Sequence, residues 1–384
     1  MWGGQSTPNL EVFEPARGGD SHVLICAGRA LTDEQAEAGR LVDINGELEL
    51  GRGIGHGSAH RLETGDPFMS RTHCRLTRLD AESVAIRDLD SRNGTFVDGT
   101  RLSGTAKLRD GAVVFVGAHV FVYRRMQSRD LRNIWASVGQ PFGPVPTSSP
   151  MMANLAAQLR RLAKSNVEIL LTGEPGVGKE IMAEAIHRES GRGGSFVTIP
   201  CASLAENQIE HELFGRGQGA HAGATAKMRG LIEEANGGTL YLDEVGSMSG
   251  SAQAKLLGFL RDGRCSSPWG AQVHPLEVRL LAATRSAASR AHDRKALHLD
   301  LVVHFGHEPI FIPPLRDRIE DAGLLVQYFM RERPRPFDIE AYRSLFLNPW
   351  QGNIGELEKT IRAASAASIG CDTIGLDQLQ TDSG

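Results

Sequence analysis

Two short stretches carry the residues best suited to chemistry. Gly173-Glu174-Pro175-Gly176-Val177-Gly178-Lys179 follows an apolar run and opens a segment of helical periodicity. Its glycines let backbone N–H groups approach phosphate oxygens. The following helix would aim its positive end at the same place, and Lys179 would reach the β- and γ-phosphates. Further on, GGTLYLDEVG (237–246) reads as a buried strand that delivers Asp243 and Glu244. Asp243 suits a magnesium ion carried by the nucleotide, and Glu244 suits polarising an attacking water. One position departs from the usual spacing: the hydroxyl residue expected after the lysine is Glu180, which leaves the metal to Asp243 and water. A lone GxxxxGK match is weak. Between a strand and a helix, and followed by an LDE strand, it predicts bound ATP and Mg2+, with Lys179, Asp243 and Glu244 as the catalytic set.

A second set of side chains falls in three separated clusters: Gly51-Arg52, Ser70-Arg71-Thr72-His73, and Asp90-Ser91-Arg92-Asn93-Gly94-Thr95. Arg52 can fork two charge-assisted bonds onto a phosphate. Ser70 offers a hydroxyl, and Asn93 can donate to and accept from an extended peptide backbone. Asn-Gly alone is foremost a hairpin turn, and a lone Gly-Arg says nothing. The combination is far more specific.

The elements that must position these groups divide the chain unevenly. At 384 residues it exceeds one ordinary core, so two or three domains are expected. Residues 1–20 read as a polar tail. Residues 21–126 hold short β runs separated by Gly, Asp and Asn, the layout of a sandwich. Residues 127–148, poor in apolar side chains and carrying Pro141, Pro144 and Pro146, read as a linker that a short helix opens. From 149 to 314 helical and strand periods alternate, which predicts a parallel sheet flanked by helices. Residues 315–370 are helical in pattern and suggest a small lid, with 371–384 as a tail. The fold class is therefore multidomain: an all-β sandwich, then an α/β phosphate-loop domain with an α-helical lid.

Composition narrows the function classes. Lys and Arg total 42 against 46 acids, a net charge of −4, and no long basic tract offers nucleic acid a footprint. The five cysteines lack metal-ligand spacing and fit a reducing compartment. The N-terminus has no charged-then-apolar signal layout, and the longest apolar stretch (112–123) is too short to span a bilayer. A cytoplasmic protein is expected. Neither HExxH nor GxSxG occurs.

The combination GR…SRTHC…DLDSRNGTFVDG resembles the forkhead-associated (FHA) domain over residues 21–126. The resemblance implies an eleven-stranded sandwich that binds phosphothreonine peptides. Arg52 and Ser70 would hold the phosphate, Arg71 and Arg92 would flank it, Asn93 would clamp the peptide backbone, and His73 would brace the loop. The second half, with VEILLTGEPGVGKE, FVTIPCASL, GGTLYLDEVGSMS, VRLLAAT, IPPLRDRIED and NPWQGNIGELE, resembles the AAA+ domain of sigma-54-dependent transcription activators. That resemblance implies a ring-forming ATPase that remodels RNA polymerase bearing sigma-54.

The departures from this second pattern fall on parts that turn binding into work. The sigma-contacting loop, GAFTGA in the family, reads GAHAGA here, with His221 and Ala222 in place of Phe and Thr. The two arginines that reach a neighbour's site align with His298 and His304, and the sensor asparagine with Arg285. The lid arginine is Gly355, and the asparagine that relays nucleotide state to the glutamate is Pro200. Histidine is mostly neutral at physiological pH, whereas an arginine finger is worth on the order of 10³–10⁵ in rate. Weak or absent hydrolysis is expected. About fourteen residues follow the last lid helix, too few for the family's helix-turn-helix, so no direct DNA binding is expected.

The leading expectation is a sigma-54-type regulator that binds ATP and a phosphothreonine-containing protein. Its further expected partners are RNA polymerase bearing sigma-54 or an active AAA+ relative in a mixed ring. Two alternatives stay open: an active ATPase that remodels sigma-54 polymerase, and a phosphopeptide adaptor with a relic ATPase domain.

Overall fold

The computed structural model describes residues 20–32, 38–53, 60–215, 229–262, 275–285, 297–305 and 308–379. Eleven strands come first among them: β1 (Ser21–Arg29), β2 (Leu41–Asp43), β3 (Glu47–Gly51), β4 (His60–Glu63), β5 (Cys74–Arg78), β6 (Val84–Asp88), β7 (Thr95–Val97), β8 (Thr100–Arg101), β9 (Thr105–Leu108), β10 (Val113–Val116) and β11 (His119–Met126). Helices α1 (Ser128–Gly139) and α2 (Pro150–Ala163) follow. Next come β12 (Ile169–Thr172), α3 (Lys179–Ser190), β13 (Phe196–Pro200), α4 (Glu206–Phe214), α5 (Leu231–Glu234), β14 (Thr239–Asp243), α6 (Gly250–Asp262), β15 (Arg279–Thr284), α7 (Leu299–His304) and β16 (Ile310–Phe311). A 3-10 run, Leu315–Asp321, leads into α8 (Ala322–Met330), α9 (Ile339–Leu347) and α10 (Asn353–Ala367). These elements form two compact units, Met1–Ala156 with Pro313–Gly384, and Ala157–Ile312.

In the first unit the strands make two sheets, ordered β2-β1-β11-β10-β7-β8 and β4-β3-β5-β6-β9. Alternation in β3 sends Leu48 and Leu50 inward and leaves Glu47 and Glu49 outward, and the inward set meets Leu76, Ile86, Val114, Phe121 and Tyr123 between the sheets. The expected eleven-stranded sandwich is present. The short strands β2, β4, β8 and β9 gave no sequence signal, because two to four residues cannot establish a period.

The central strands of the six-stranded sheet, β1, β11 and β10, are buried on both faces. Val113, Phe115, Val120 and Val122 point away from the sandwich core and pack with Leu315, Tyr342, Leu345, Trp350 and Leu357. The helices expected as a lid therefore belong to the compact unit of the sandwich. The sequence signal was the near-continuous apolar run 112–123, since a strand with one wet face alternates and a strand covered on both does not.

Two expectations about connecting segments need correction. The expected opening helix is present as α1, but the rest of 127–148 is packed rather than a free linker. Asp130 accepts from the Gln127 N–H at 2.8 Å to start α1, whose Leu131 and Ile134 pack beside Val23 and Ile25. Thr147 and Ser148 are buried, and the Asp321 carboxylate accepts from Thr147 Oγ1 at 2.8 Å and from the Ser148 N–H at 2.8 Å. Part of the supposed tail is packed as well. Ile374 bridges to Phe337 and, with Leu379, enters the helical core, because the apolar side chains fill space there. Most of the N-terminal polar tail lies outside the described residues.

The second unit is a five-stranded sheet, ordered β13-β14-β15-β12-β16, with every recorded pairing parallel. β12 lies between β15 and β16, and the phosphate loop leaves its C-terminal end. Ile199, Leu240, Leu242, Leu280 and Ala282 form one core with Ile209, Leu256 and Leu301 from the helices. Ligands of such sheets bind beyond the carboxyl ends of the strands, and that is where the loop and Asp243 emerge.

Candidate functional site

The loop 173–178 owes its path to glycine. Gly176 and Gly178 have φ of 75° and 97°, a region that costs other residues strain. Gly178 caps α3, so Lys179 and Glu180 form its first turn. Val177 is buried and anchors the loop, while Gly173 approaches the Ile312 carbonyl so closely that a Cβ would lie 2.9 Å from it. Glu180 points to solvent. Lys179 is buried, and its Nζ donates to the carbonyls of Gly173 at 3.0 Å and Glu174 at 3.2 Å. Those are neutral acceptors that a phosphate would outcompete.

Asp243 ends β14, in register with Pro200 at the end of β13. Tyr241 donates its hydroxyl to Asp243 Oδ1 at 3.2 Å, and burial pushes the phenol pKa upward, so it stays a donor. A carboxylate oriented in this way is a hard oxygen ligand of the kind magnesium takes, and Asp243 is the residue that would hold the ion. Glu244 has a left-handed backbone, φ 54° and ψ 50°. Its Oε1 lies 3.5 Å from Lys179 Nζ and accepts from Arg285 Nε at 3.1 Å. Loop, lysine and Glu244 thus meet, with Asp243 next to Glu244 in the chain. Arg285, counted as a lost sensor, has a contact that spacing could not show.

Neither finger position carries a guanidinium. His298 is the N-cap of α7 and accepts from the Asp300 N–H, while its own N–H donates to Gln253 Oε1 at 2.7 Å. His304, at the other end of α7, has Nε2 3.5 Å from Glu168 Oε1. Pro200 offers no side-chain amide to Glu244. Gly355 sits in the first turn of α10 and carries no charge. His221 and Ala222 lie outside the described residues.

In the sandwich, three loops at one end meet. The Arg52 N–H donates to the Ser70 carbonyl at 3.0 Å, and the Arg92 N–H donates to Ser70 Oγ at 3.0 Å. Asn93 Nδ2 donates to the Phe68 carbonyl at 2.7 Å. Arg52, Arg71, Arg92 and Asn93 are exposed around this junction, a positive face with a serine and an amide at its centre. His73 is fully buried beneath it. Its Nδ1 accepts from the Ser70 N–H at 3.0 Å, so Nε2 carries the proton and donates to the Gly94 carbonyl at 3.2 Å. Burial holds the imidazole pKa below its ordinary value, in keeping with that neutral tautomer.

Sequence reasoning missed two carboxylates beneath these loops. Asp66 is buried and accepts from the N–H groups of Phe68 at 2.8 Å and Ala118 at 2.7 Å, and from His119 Nδ1 at 3.0 Å. Burial alone would raise its pKa; these bonds outweigh burial and hold the carboxyl below the usual range. Asp88 likewise takes Ser91 and Thr95, which fixes the turn that presents Arg92 and Asn93. An isolated aspartate has no spacing signal, so neither was legible.

Comparison with known proteins agrees with this architecture. Residues 145–310 match the sigma-54 interaction domain, and residues 48–117 match the FHA domain. The Nif-specific regulatory protein of Rhodobacter capsulatus is 36% identical over 262 residues, covering 64% of this chain and 45% of that protein. The DNA-binding transcriptional regulator NtrC of Rhizobium meliloti is 36% identical over 230 residues, covering 58% and 48%. The chain spans about half the length of these curated relatives. Among solved structures, NtrX from Brucella abortus in complex with ATP superposes with a TM-score of 0.57 at 29% identity, covering 66% of this chain and 60% of that one. No helix among the described residues is long and apolar enough to cross a membrane.

Proposed function

We propose that this chain, which carries a sigma-54 interaction domain and an FHA domain, is a transcription regulator that holds ATP with little hydrolysis and reads phosphothreonine peptides. The observation that carries this reading is an asymmetry. Lys179 and Glu244 stand together at a glycine loop with Asp243 next in the chain, while positions 298 and 304 bear imidazoles in place of guanidiniums.

Lys179 would leave its two loop carbonyls for the β- and γ-phosphates, and the α3 N-terminus would add its N–H groups. Magnesium, when bound, would neutralise charge between the β- and γ-phosphates. Glu244 would orient water, but leaving-group charge would go unmet by any guanidinium from a neighbour. In the sandwich, Arg52 and Ser70 would take the phosphate, Arg71 and Arg92 would flank it, and Asn93 would bind the peptide backbone. A partner bearing phosphothreonine, and either sigma-54 polymerase or an active AAA+ relative in a shared ring, complete the proposal. A cytoplasmic location fits such partners.

The test measures nucleotide binding and hydrolysis side by side on the purified chain. A fluorescent ATP analogue should bind, while phosphate release stays far below the ordinary enzyme range of about 1–10³ per second. Turnover near one per second would establish a working ATPase instead, and no ATP affinity would leave a phosphopeptide adaptor. For the FHA face, Arg52→Ala should abolish binding of a phosphothreonine peptide by fluorescence anisotropy; unchanged affinity would remove that half of the reading.

A further inference from the structure

Glu244 is engaged at both carboxylate oxygens. Arg285 Nε donates to Oε1 at 3.1 Å, and the Arg285 backbone N–H donates to Oε2 at 3.2 Å. Lys179 Nζ stands 3.5 Å from the same Oε1. The glutamate side chain is 12% exposed and sits between buried Lys179 on one side and Arg285, 61% exposed, on the solvent side. Pro200 leaves β13 with no amide to hold this carboxylate, and the group that holds it comes instead from the end of β15.

A triphosphate entering the loop draws Lys179 toward its own oxygens. Glu244 would then face the γ-phosphate as a second anion in a partly buried site, where like charges repel more strongly than in water. Arg285 removes that repulsion, because guanidinium is always charged and its contact does not involve Lys179. The same bonds take one lone-pair site on each oxygen, fix the carboxylate's orientation and lower its basicity toward water. A single residue thus favours retention of the nucleotide and opposes its cleavage.

We propose that Arg285 is a positioning residue that neutralises and immobilises Glu244, so that the pocket grips ATP at the expense of hydrolysing it. This rests on the ATP-holding reading above and assigns its cause to this chain's own β15 rather than solely to absent neighbours.

A double-mutant cycle on the full chain tests it, with wild type, Arg285→Asn, Glu244→Gln and the double variant. Affinities for fluorescent ATP and ADP analogues are measured at equilibrium, and phosphate release in a single turnover with protein in excess. Arg285→Asn should weaken ATP binding about tenfold and ADP binding far less, because only the third phosphate meets the freed carboxylate. Adding Glu244→Gln should restore ATP affinity, since the repelling charge is then gone. The single-turnover rate of Arg285→Asn should rise several-fold, while Arg285→Lys, which keeps the charge, should keep the affinity. Equal losses for ATP and ADP, or additive effects of the two substitutions, would overturn the proposal. If Arg285→Asn does not fold, Glu244→Gln alone decides: freeing Arg285 should tighten ATP several-fold, and unchanged affinity overturns it. Failure of the unmodified chain to bind ATP, or brisk turnover by it, would instead defeat the underlying ATP-holding reading.

Discussion

Arg124 and Glu320 stand 196 residues apart in sequence, yet Nη2 of the first donates to Oε2 of the second at 2.6 Å. Arg124 lies on β11 of the sandwich, and Glu320 lies in the 3-10 run that begins the helical segment. Arg124 Nη2 also donates to the Asp317 carbonyl at 2.8 Å. Burial pushes the Glu320 carboxyl pKa up, and Arg124 opposes this. A charge so placed is tolerable only while its partner stays. The pair therefore marks where the sandwich and the helices became one body.

Arg124→Ala strands Glu320 in a dry site and should cost about 3–5 kcal/mol, as for other broken buried pairs. Replacing both residues by leucine should recover much of that loss, because no buried charge remains. Urea unfolding of wild type, single and double variants reads the difference. A loss below about 1 kcal/mol for Arg124→Ala would mean that water reaches Glu320 freely.

Gly51→Ala should disturb the phosphopeptide face without touching an arginine. A Cβ at position 51 would stand 2.1 Å from the Arg71 carbonyl and 2.8 Å from Arg61 Nη2. The loop bearing Ser70 must move away, at a cost of about 1–3 kcal/mol typical of overpacking. Thermal unfolding should shift downward, and anisotropy should register weaker phosphothreonine-peptide binding. Wild-type affinity in this variant would show that the loop is not held by that close approach.

Lys179→Ala removes the cation that the phosphate loop presents. A hydrogen bond to a charged group is worth about 1.5–3 kcal/mol, which corresponds to a loss of roughly 10- to 100-fold in ATP affinity. Phosphopeptide affinity should not change. Equilibrium titration with a fluorescent ATP analogue checks both statements, and undiminished ATP binding would place the nucleotide elsewhere.

Acid should weaken the phosphopeptide face through His73. Its folded pKa lies below the ordinary histidine value of about 6.5, so the unfolded chain takes up the proton first as pH falls. The stability that neutral His73 contributes is complete above that value and is lost as pH drops through the folded pKa. Nearby Asp66 and Asp88 favour protonation, while Arg343 and, above all, burial oppose it. A protonated Nδ1 could no longer accept from the Ser70 N–H. Peptide affinity measured from pH 7.5 to pH 5 should hold near neutrality in wild type and fall only as pH drops through the folded His73 pKa, which lies below its ordinary value. His73→Asn, which has no titrating ring, should show weaker binding with a flatter profile over that range; an equally steep decline would assign the acid sensitivity to another group.

The sequence by itself determined the local chemistry. Glycines at 173, 176 and 178 followed by Lys179, set between an apolar strand and a helical period, were legible because the requirement is on neighbouring backbone angles. The clusters at 52, 70–73 and 90–95 were legible for a similar reason, as turn residues and charged side chains within a few positions of one another. Tertiary structure decided what lies far apart in the chain. It gave the outer faces of β10 and β11 to the helices after Pro314, and it set Arg285 against Glu244, 41 residues away. It also buried Asp66 where three donors meet it. Such relationships depend on strand order and on which face is covered. Those follow from the balance of burial over the whole molecule and are not written in the spacing of any one segment.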